Sequence, residues 1–180
     1  AHALGAAAVA SASLAELNVD AYIYALPIRQ LKSIEPVAAL DLRGCGLGVA
    51  SAVVIAKCIE VNGVPTSLKL SSNDIGDEGA KAIGEAVRVN GVLTSLNLLG
   101  NQIGDEGAKA IGEALHVNSA LTSLDLFMNN IGDEGAAAIG DALHVNSALT
   151  SLNLKYNDIG DGKAALRKIA KDRPSLTIEL

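Results

Sequence analysis

Residues 95–122 read SLNLLGNQIGDEGAKAIGEALHVNSALT, and residues 123–150 read SLDLFMNNIGDEGAAAIGDALHVNSALT. Tandem copies that agree this closely report one structural unit used again, so the period comes before any other reading. Leu68, Leu96, Leu124 and Leu152 stand 28 residues apart, and one further step back lands on Leu40. Each leucine opens an L-x-L unit: Leu40–Leu42, Leu68–Leu70, Leu96–Leu98, Leu124–Leu126 and Leu152–Leu154. Such alternation describes a short strand with one buried side. Behind four of these units come Asn73, Asn101, Asn129 or Asn157, then Ile75, Ile103, Ile131 or Ile159 and a glycine. The run that follows, DEGAKAIGEAV at 77–87, reads as a helix whose apolar stripe is Ala80, Ile83 and Val87. Asp77, Asp105 and Asp133 are candidate N-caps, with Glu78, Glu106 and Glu134 near the positive end of each helix dipole. Gly84, Gly112 and Gly140 fall inside these helices, where glycine costs about 1 kcal/mol relative to alanine. Their recurrence predicts a close neighbour that leaves no room for a side chain. Val-Asn pairs at Val61, Val89, Val117 and Val145 close each helix before the next strand.

Composition agrees with thin, stacked layers. Hydrophobic residues make up 49% of the chain and aromatics 2%, so the core is built from Leu, Ile, Val and Ala rather than rings. With 14 basic and 20 acidic residues the net charge is −6, which gives no global attraction to nucleic acid or to anionic lipid. Neither is expected as a partner. No apolar run reaches membrane-spanning length. Cys45 and Cys58 match neither a disulfide framework nor a zinc site, which points to a reducing, intracellular and cytoplasmic setting. The opening AHALGAAAVASAS lacks a basic flank and an initiating Met, so it is expected to be neither signal nor targeting peptide, but the start of a processed product or fragment.

The stretch LTSLNLLGNQIGDEGAKAIGEALHVNSA (93–120), with its L-x-x-L-x-L-x-x-N signature and following helix, resembles the ribonuclease-inhibitor-like subfamily of leucine-rich-repeat proteins. The resemblance runs from Leu14 to Leu180 and is strongest from Thr66 to Ile159. It implies an α/β solenoid, a horseshoe with parallel strands on the concave face and helices on the convex face. It also implies that the recurring Asn hydrogen-bonds backbone groups from layer to layer, with Cys45 standing in for it in the earlier repeat. The chain is then one domain: a divergent N-terminal repeat at 1–36, regular repeats at 37–159 and a C-terminal cap at 160–180. Leu14, Leu17 and Val19 suggest a strand in the divergent repeat, although Leu17 to Leu40 is only 23 residues, and residues 1–13 suggest the helix of a preceding repeat. The N-terminus is expected to be an open edge.

The two opening copies differ at Asn97/Asp125, Leu99/Phe127, Gly100/Met128, Gln102/Asn130, Lys109/Ala137 and Glu113/Asp141. The first three pairs lie on the strand or its exit. If Leu96 and Leu98 face in, then Asn97 and Leu99 face out on the concave wall. Stacking turns these letters into columns. One runs Asp41, Lys69, Asn97, Asp125, Asn153; the next Arg43, Ser71, Leu99, Phe127, Lys155; a third Gly44, Ser72, Gly100, Met128, Tyr156. The only Phe and the only Met are neighbours here, beside Leu99 and Tyr156, which is how an interaction anchor looks. Asp125 and Lys155 would set the register of a partner. The plainer alternative has Phe127 and Met128 folding back over strand ends.

Catalytic and metal chemistry find little footing. His116 and His144 occupy equivalent places in successive helices, too far apart at about 8–10 Å to share a zinc ion. The acidic pairs lack the alternating oxygen ligands of a calcium loop, and RGCGLG (43–48) lacks the Lys-Ser/Thr end of a phosphate loop. Cys58 aligns with Ala86, Ala114 and Ala142, a small buried position. Lys163, Arg167, Lys168, Lys171 and Arg173 read as a solvated capping helix. No cofactor or catalytic residue is expected. The expected role is a non-catalytic interaction module holding a protein on its concave face. Two alternatives stay open, a GTPase-activating or other enzyme-regulatory protein and a scaffold subunit of a larger assembly. Nuclease inhibition fits poorly, since Asp41 and Asp125 are offset by Arg43, Lys69 and Lys155.

Overall fold

Each L-x-L unit needs only its first leucine and that residue's two neighbours to make a strand, because the next layer supplies the pairing. The computed structural model describes residues 16–17, 26–27, 38–61 and 65–180. Two short strands come first, β1 (Glu16–Leu17) and β2 (Leu26–Pro27). The repeats follow as β3 (Ala39–Asp41), α1 (Val49–Val61), β4 (Ser67–Lys69), α2 (Gly76–Val89), β5 (Ser95–Asn97) and α3 (Asp105–Leu115). They continue as β6 (Ser123–Asp125), α4 (Asp133–Val145), β7 (Ser151–Asn153), α5 (Gly162–Asp172) and β8 (Thr177–Glu179).

Strands β3 to β8 form one six-stranded sheet in chain order, every pair parallel. The register joins Leu40, Leu68, Leu96, Leu124, Leu152 and Ile178 in a single row. A parallel pair cannot be closed by a tight turn, and here each crossover is a helix. Strands lie about 4.8 Å apart while packed helices need about 8–10 Å. The stack therefore curves, with strands on the concave wall and helices on the convex one. Leucines of the row and of the next inward position, the turn isoleucines and the inner helix faces form one continuous buried layer. Among the described residues no aromatic ring enters it. Truncating one of these leucines to alanine costs about 2–5 kcal/mol.

Polar joints lock the layers. Asn129 Nδ2 donates to the Leu98 carbonyl one repeat back and to Leu126 in its own turn, both at 3.0 Å. Its Oδ1 accepts the N–H groups of Asn101 and Ile103, also at 3.0 Å. Cys45 stands at the asparagine's position: its N–H donates to Asn73 Oδ1 at 3.0 Å, and its Sγ lies 3.5 Å from the Arg43 carbonyl oxygen. A second buried asparagine ladder lies at the helix exits. Asn118 Nδ2 reaches the carbonyls of Val87 and Asn90, and Asn146 Nδ2 those of Leu115 and Asn118. The Val-Asn pairs thus close helices through the asparagine; Val89, Val117 and Val145 are exposed.

The aspartates cap, but not their own helices. α3 starts behind Gly104 with no side-chain cap of its own. Asp105 Oδ1 instead accepts the N–H groups of Gly132 and Gly135 in the following repeat, both at 2.8 Å. Asp77 serves Gly104 and Gly107, and Asp133 serves Gly160 and Gly162, in the same way. The corresponding place before α2 is held by Val49, and there the turn departs. Gly76 is left-handed (φ 60°), and its N–H donates to the Asn101 carbonyl at 2.9 Å. Asn101 Oδ1 is left buried without a partner.

The glycine expectation holds at two of its three positions. A Cβ on Gly84 would come within 3.0 Å of the Ala110 carbonyl oxygen, and one on Gly112 within 2.9 Å of that of Ala138. At Gly140 the nearest atoms belong to Ile169 and Leu166 at 3.6 and 3.7 Å, an ordinary contact.

At the C-terminal end β8 continues the sheet, and Arg173 takes the next rung of the second ladder. Its Nη1 donates to the carbonyls of Leu143 (3.3 Å) and Asn146, and its Nη2 to that of Leu149. Arg173 is therefore structural rather than part of a solvated basic face, and burial lowers its pKa from the ordinary value. Arg167, Lys168 and Lys171 are exposed. At the other end β1 pairs antiparallel with β2 in a separate two-stranded sheet, so the described part of the expected strand at 14–19 does not join the parallel stack. The helix expected at 1–13 lies outside the described residues.

Candidate protein-binding face

The outward positions of β3 to β8 share one wall. In each interior strand the central leucine is buried and its neighbours are partly exposed, so Lys69, Asn97, Asp125 and Asn153 line up in register. Asp41 begins the column, and Glu179, paired in register with Asn153, ends it. Glu179 is a face residue that the sequence reading missed. Its signal was the L-T-I-E-L close, in which Ile178 continues the leucine row and pushes Glu179 outward.

Beyond the strands the chain keeps pairing: the N–H groups of Gly44, Ser72, Gly100 and Met128 donate to the carbonyls of Ser71, Leu99, Phe127 and Lys155 at 2.8–3.0 Å. This third column has an unusual backbone. Gly44 and Gly100 are left-handed, at φ 61° and 62°, and so are Ser72, Met128 and Tyr156, at 57°, 52° and 57°. Glycine adopts that conformation freely, whereas an L side chain there costs roughly 1–2 kcal/mol. Two of the largest side chains of the face therefore sit where the chain elsewhere uses glycine. Both project: Met128 is 55% exposed and Tyr156 73%. Phe127 and Leu99 are half-buried beside them. The Phe127 and Tyr156 rings touch, centroids 4.8 Å apart and planes tilted by 55°.

Charge frames this patch. At one end Arg43 holds Asp41 through three side-chain contacts of 2.7–3.0 Å, and Lys69 Nζ stands 4.0 Å from the same carboxylate. The Arg43 side-chain hydrogen bond is the main reason the Asp41 carboxyl is lowered from its ordinary pKa, and Asp41 raises Arg43 in turn. Beside them Asp41, Arg43, Gly44, Ser71 and Ser72 line an open hollow of about 500 Å³. At the other end Asn97 Nδ2 donates to Asp125 Oδ2 at 3.0 Å, and Lys155 pairs with Glu179 at 2.9 Å. Asp125 and Lys155 are thus engaged within the face, and Asn153 Oδ1 accepts the Lys155 N–H at 3.1 Å.

The repeat period, the asparagine joints and the parallel sheet have a counterpart in known families. The leucine-rich-repeat family model matches residues 66–84, 89–112, 117–140 and 145–162. The chain is a leucine-rich-repeat protein. No curated protein matches it by sequence. Among solved structures it is similar to actin-binding site 2 of leiomodin-1, at 22% identity and a TM-score of 0.67, over 79% of this chain and 84% of that one. It is also similar to an internalin from Listeria monocytogenes strain 4b F2365, at 19% identity and a TM-score of 0.39, over 85% of this chain and 49% of the internalin. At these identities the first likeness is one of fold.

Elsewhere in this repeat protein the other candidates resolve structurally. Cys58 is fully buried in α1. His116 and His144 are exposed, and among the described residues no group of three or more His, Cys, Asp or Glu is placed to hold a metal ion. The RGCGLG segment is the strand-to-helix turn of its repeat, with Gly44 and Gly46 both left-handed. Among the described residues no helix is long and apolar enough to cross a membrane.

Proposed function

We propose that this leucine-rich-repeat protein is a non-catalytic module whose concave face holds a protein partner, anchored on Leu99, Phe127, Met128 and Tyr156. The observation that carries the reading is the left-handed backbone at Met128 and Tyr156. Strain of this kind persists where the surrounding structure imposes it, and it points from an outlier to a use. Four non-glycine residues take this conformation, Ser72, Gln102, Met128 and Tyr156, and the last two carry large, exposed apolar side chains in adjacent layers, with the Tyr156 ring touching that of Phe127. An apolar centre with a polar rim is the anatomy of a binding hot spot. Asp41, Arg43, Lys69, Asn97, Asp125, Asn153 and Lys155 make up that rim. The leiomodin-1 domain is named for binding actin, which illustrates this fold serving as a binding surface without naming the partner here. The working unit is the whole chain, regular repeats at 37–159 closed by the cap at 160–180.

The test is cross-linking mass spectrometry on native extract with the wild type and a Phe127→Ser/Tyr156→Ser variant whose circular dichroism matches it. One partner lost by the variant is the expected result. Equal capture by both proteins would remove the apolar face from the reading.

A further inference from the structure

The concave face is chemically lopsided along the solenoid. At the β3–β4 end two cations, Arg43 and Lys69, share the single carboxylate of Asp41. Their side chains are 57% and 43% exposed, and the hollow beside Arg43 is walled by hydroxyl-bearing Ser71 and Ser72. That end carries an excess positive charge. At the β6–β8 end Asp125 and Glu179 face one cation, Lys155, which is held by Glu179 at 2.9 Å. That end is left negative through Asp125. At this same end, just past β6 and β7, the rings of Phe127 and Tyr156, with Met128, form the apolar ground.

We infer that the face reads a polypeptide segment lying across the strands, with apolar side chains over Phe127, Met128 and Tyr156 and an acidic side chain at Arg43 and Lys69. This rests on the concave-face reading above and adds to it the partner's chemistry and direction. The spacing follows from the fold. From β3 to β6 is three strand steps of about 4.8 Å, or roughly 14 Å. An extended segment covers that in about four residues and a helical one in about nine to ten. An incoming carboxylate has cationic donors to meet because Asp41 neutralises only one of the two. A basic residue placed there would face the surplus cation instead. Exposed ion pairs are individually weak, at about 0.2–1 kcal/mol, so the one made with the surplus cation supplies a preference of roughly one-and-a-half- to fivefold for the acidic segment. It shrinks with added salt, since exposed charges are screened.

The experiment is selection of a random twelve-residue peptide display library on the immobilised full chain, at low and high salt. The expected result is enriched sequences with an apolar cluster and an Asp or Glu displaced from it by one of the two spacings. Selection on Arg43→Glu/Lys69→Glu is expected to exchange the acidic position for Lys or Arg. Selection on Arg43→Gln/Lys69→Gln is expected to lose the bias without reversing it. These side chains are exposed, and matching melting curves confirm that each variant is folded. Enrichment without acidic bias, a bias unchanged in both variants, or no enriched sequence at all overturns the inference. The concave-face reading fails separately, if selected peptides bind Phe127→Ser/Tyr156→Ser as tightly as wild type.

Discussion

Met128 shows how a single residue separates framework from use. Its left-handed φ of 52° belongs to a position held by glycine in two described repeats, and its side chain is mostly in solvent. Met128→Gly removes roughly 1–2 kcal/mol of backbone strain and gives back up to about 1 kcal/mol through the freer unfolded chain. The melting temperature is expected to stay level or rise, while affinity for the proposed concave-face partner falls; a lower melting temperature would show that methionine is there for packing. The sequence made the three columns legible, because strand alternation and a 28-residue step are enough to place outward residues. It did not reveal the backbone sign at Met128 and Tyr156. Nothing in either residue type announces a left-handed conformation, and only comparison with Gly44 and Gly100 hints at it. Nor did it show Lys155 bound to Glu179 or Asp125 to Asn97, because contacts between layers depend on rotamers.

Helices and turns were predicted from the repeat, but their ends were partly misassigned. The aspartate after each turn glycine has the composition of an N-cap for its own helix, and the structure sends it to the next one. That destination is a matter of geometry between layers and is invisible in a single repeat. Asp105→Ala is expected to cost about 1–2 kcal/mol, as for a cap replaced by alanine, and to loosen amides at Gly132 and Gly135 rather than in α3. Hydrogen exchange by residue reads this directly. The converse change, Val49→Asp, brings a carboxylate to a turn whose Gly76 and Gly79 N–H groups are already held by the Asn101 and Ile75 carbonyls, so denaturant titration is expected to show little or no gain in stability. The buried glycines give a second contrast. Gly112→Ala drives a methyl against the Ala138 carbonyl and destabilises. Gly140→Ala meets only the flexible ends of Ile169 and Leu166, and gains up to about 1 kcal/mol of helix propensity. If both variants melt alike, close helix approach is not what keeps the glycines.

On the scale of the whole molecule, stability is a sum of layers and of the joints between neighbours. The C-terminal joint rests on Arg173, whose guanidinium completes the asparagine ladder. Arg173→Ala leaves three carbonyls without their donor, and is expected to cost about 1–3 kcal/mol. The loss should appear first as exchange of residues 162–180, with 95–150 still protected; uniform loss would mean the solenoid melts as one block. The sequence disclosed the general architecture because a repeat prints its own layer many times over. It was least informative where the pattern runs out, at Leu17 and at Arg173, since there is no second copy to compare. The joints have one more consequence. Asp105 finds Gly132 and Gly135, and Asn129 finds Asn101 and Ile103, each always one step along the chain. A tandem duplication of one 28-residue unit therefore arrives already fitted to the neighbours on both its sides. The genome can lengthen such a chain without designing an interface, and the new copy is free to drift where residues 95–122 and 123–150 have drifted most, on the outward edge of the strand.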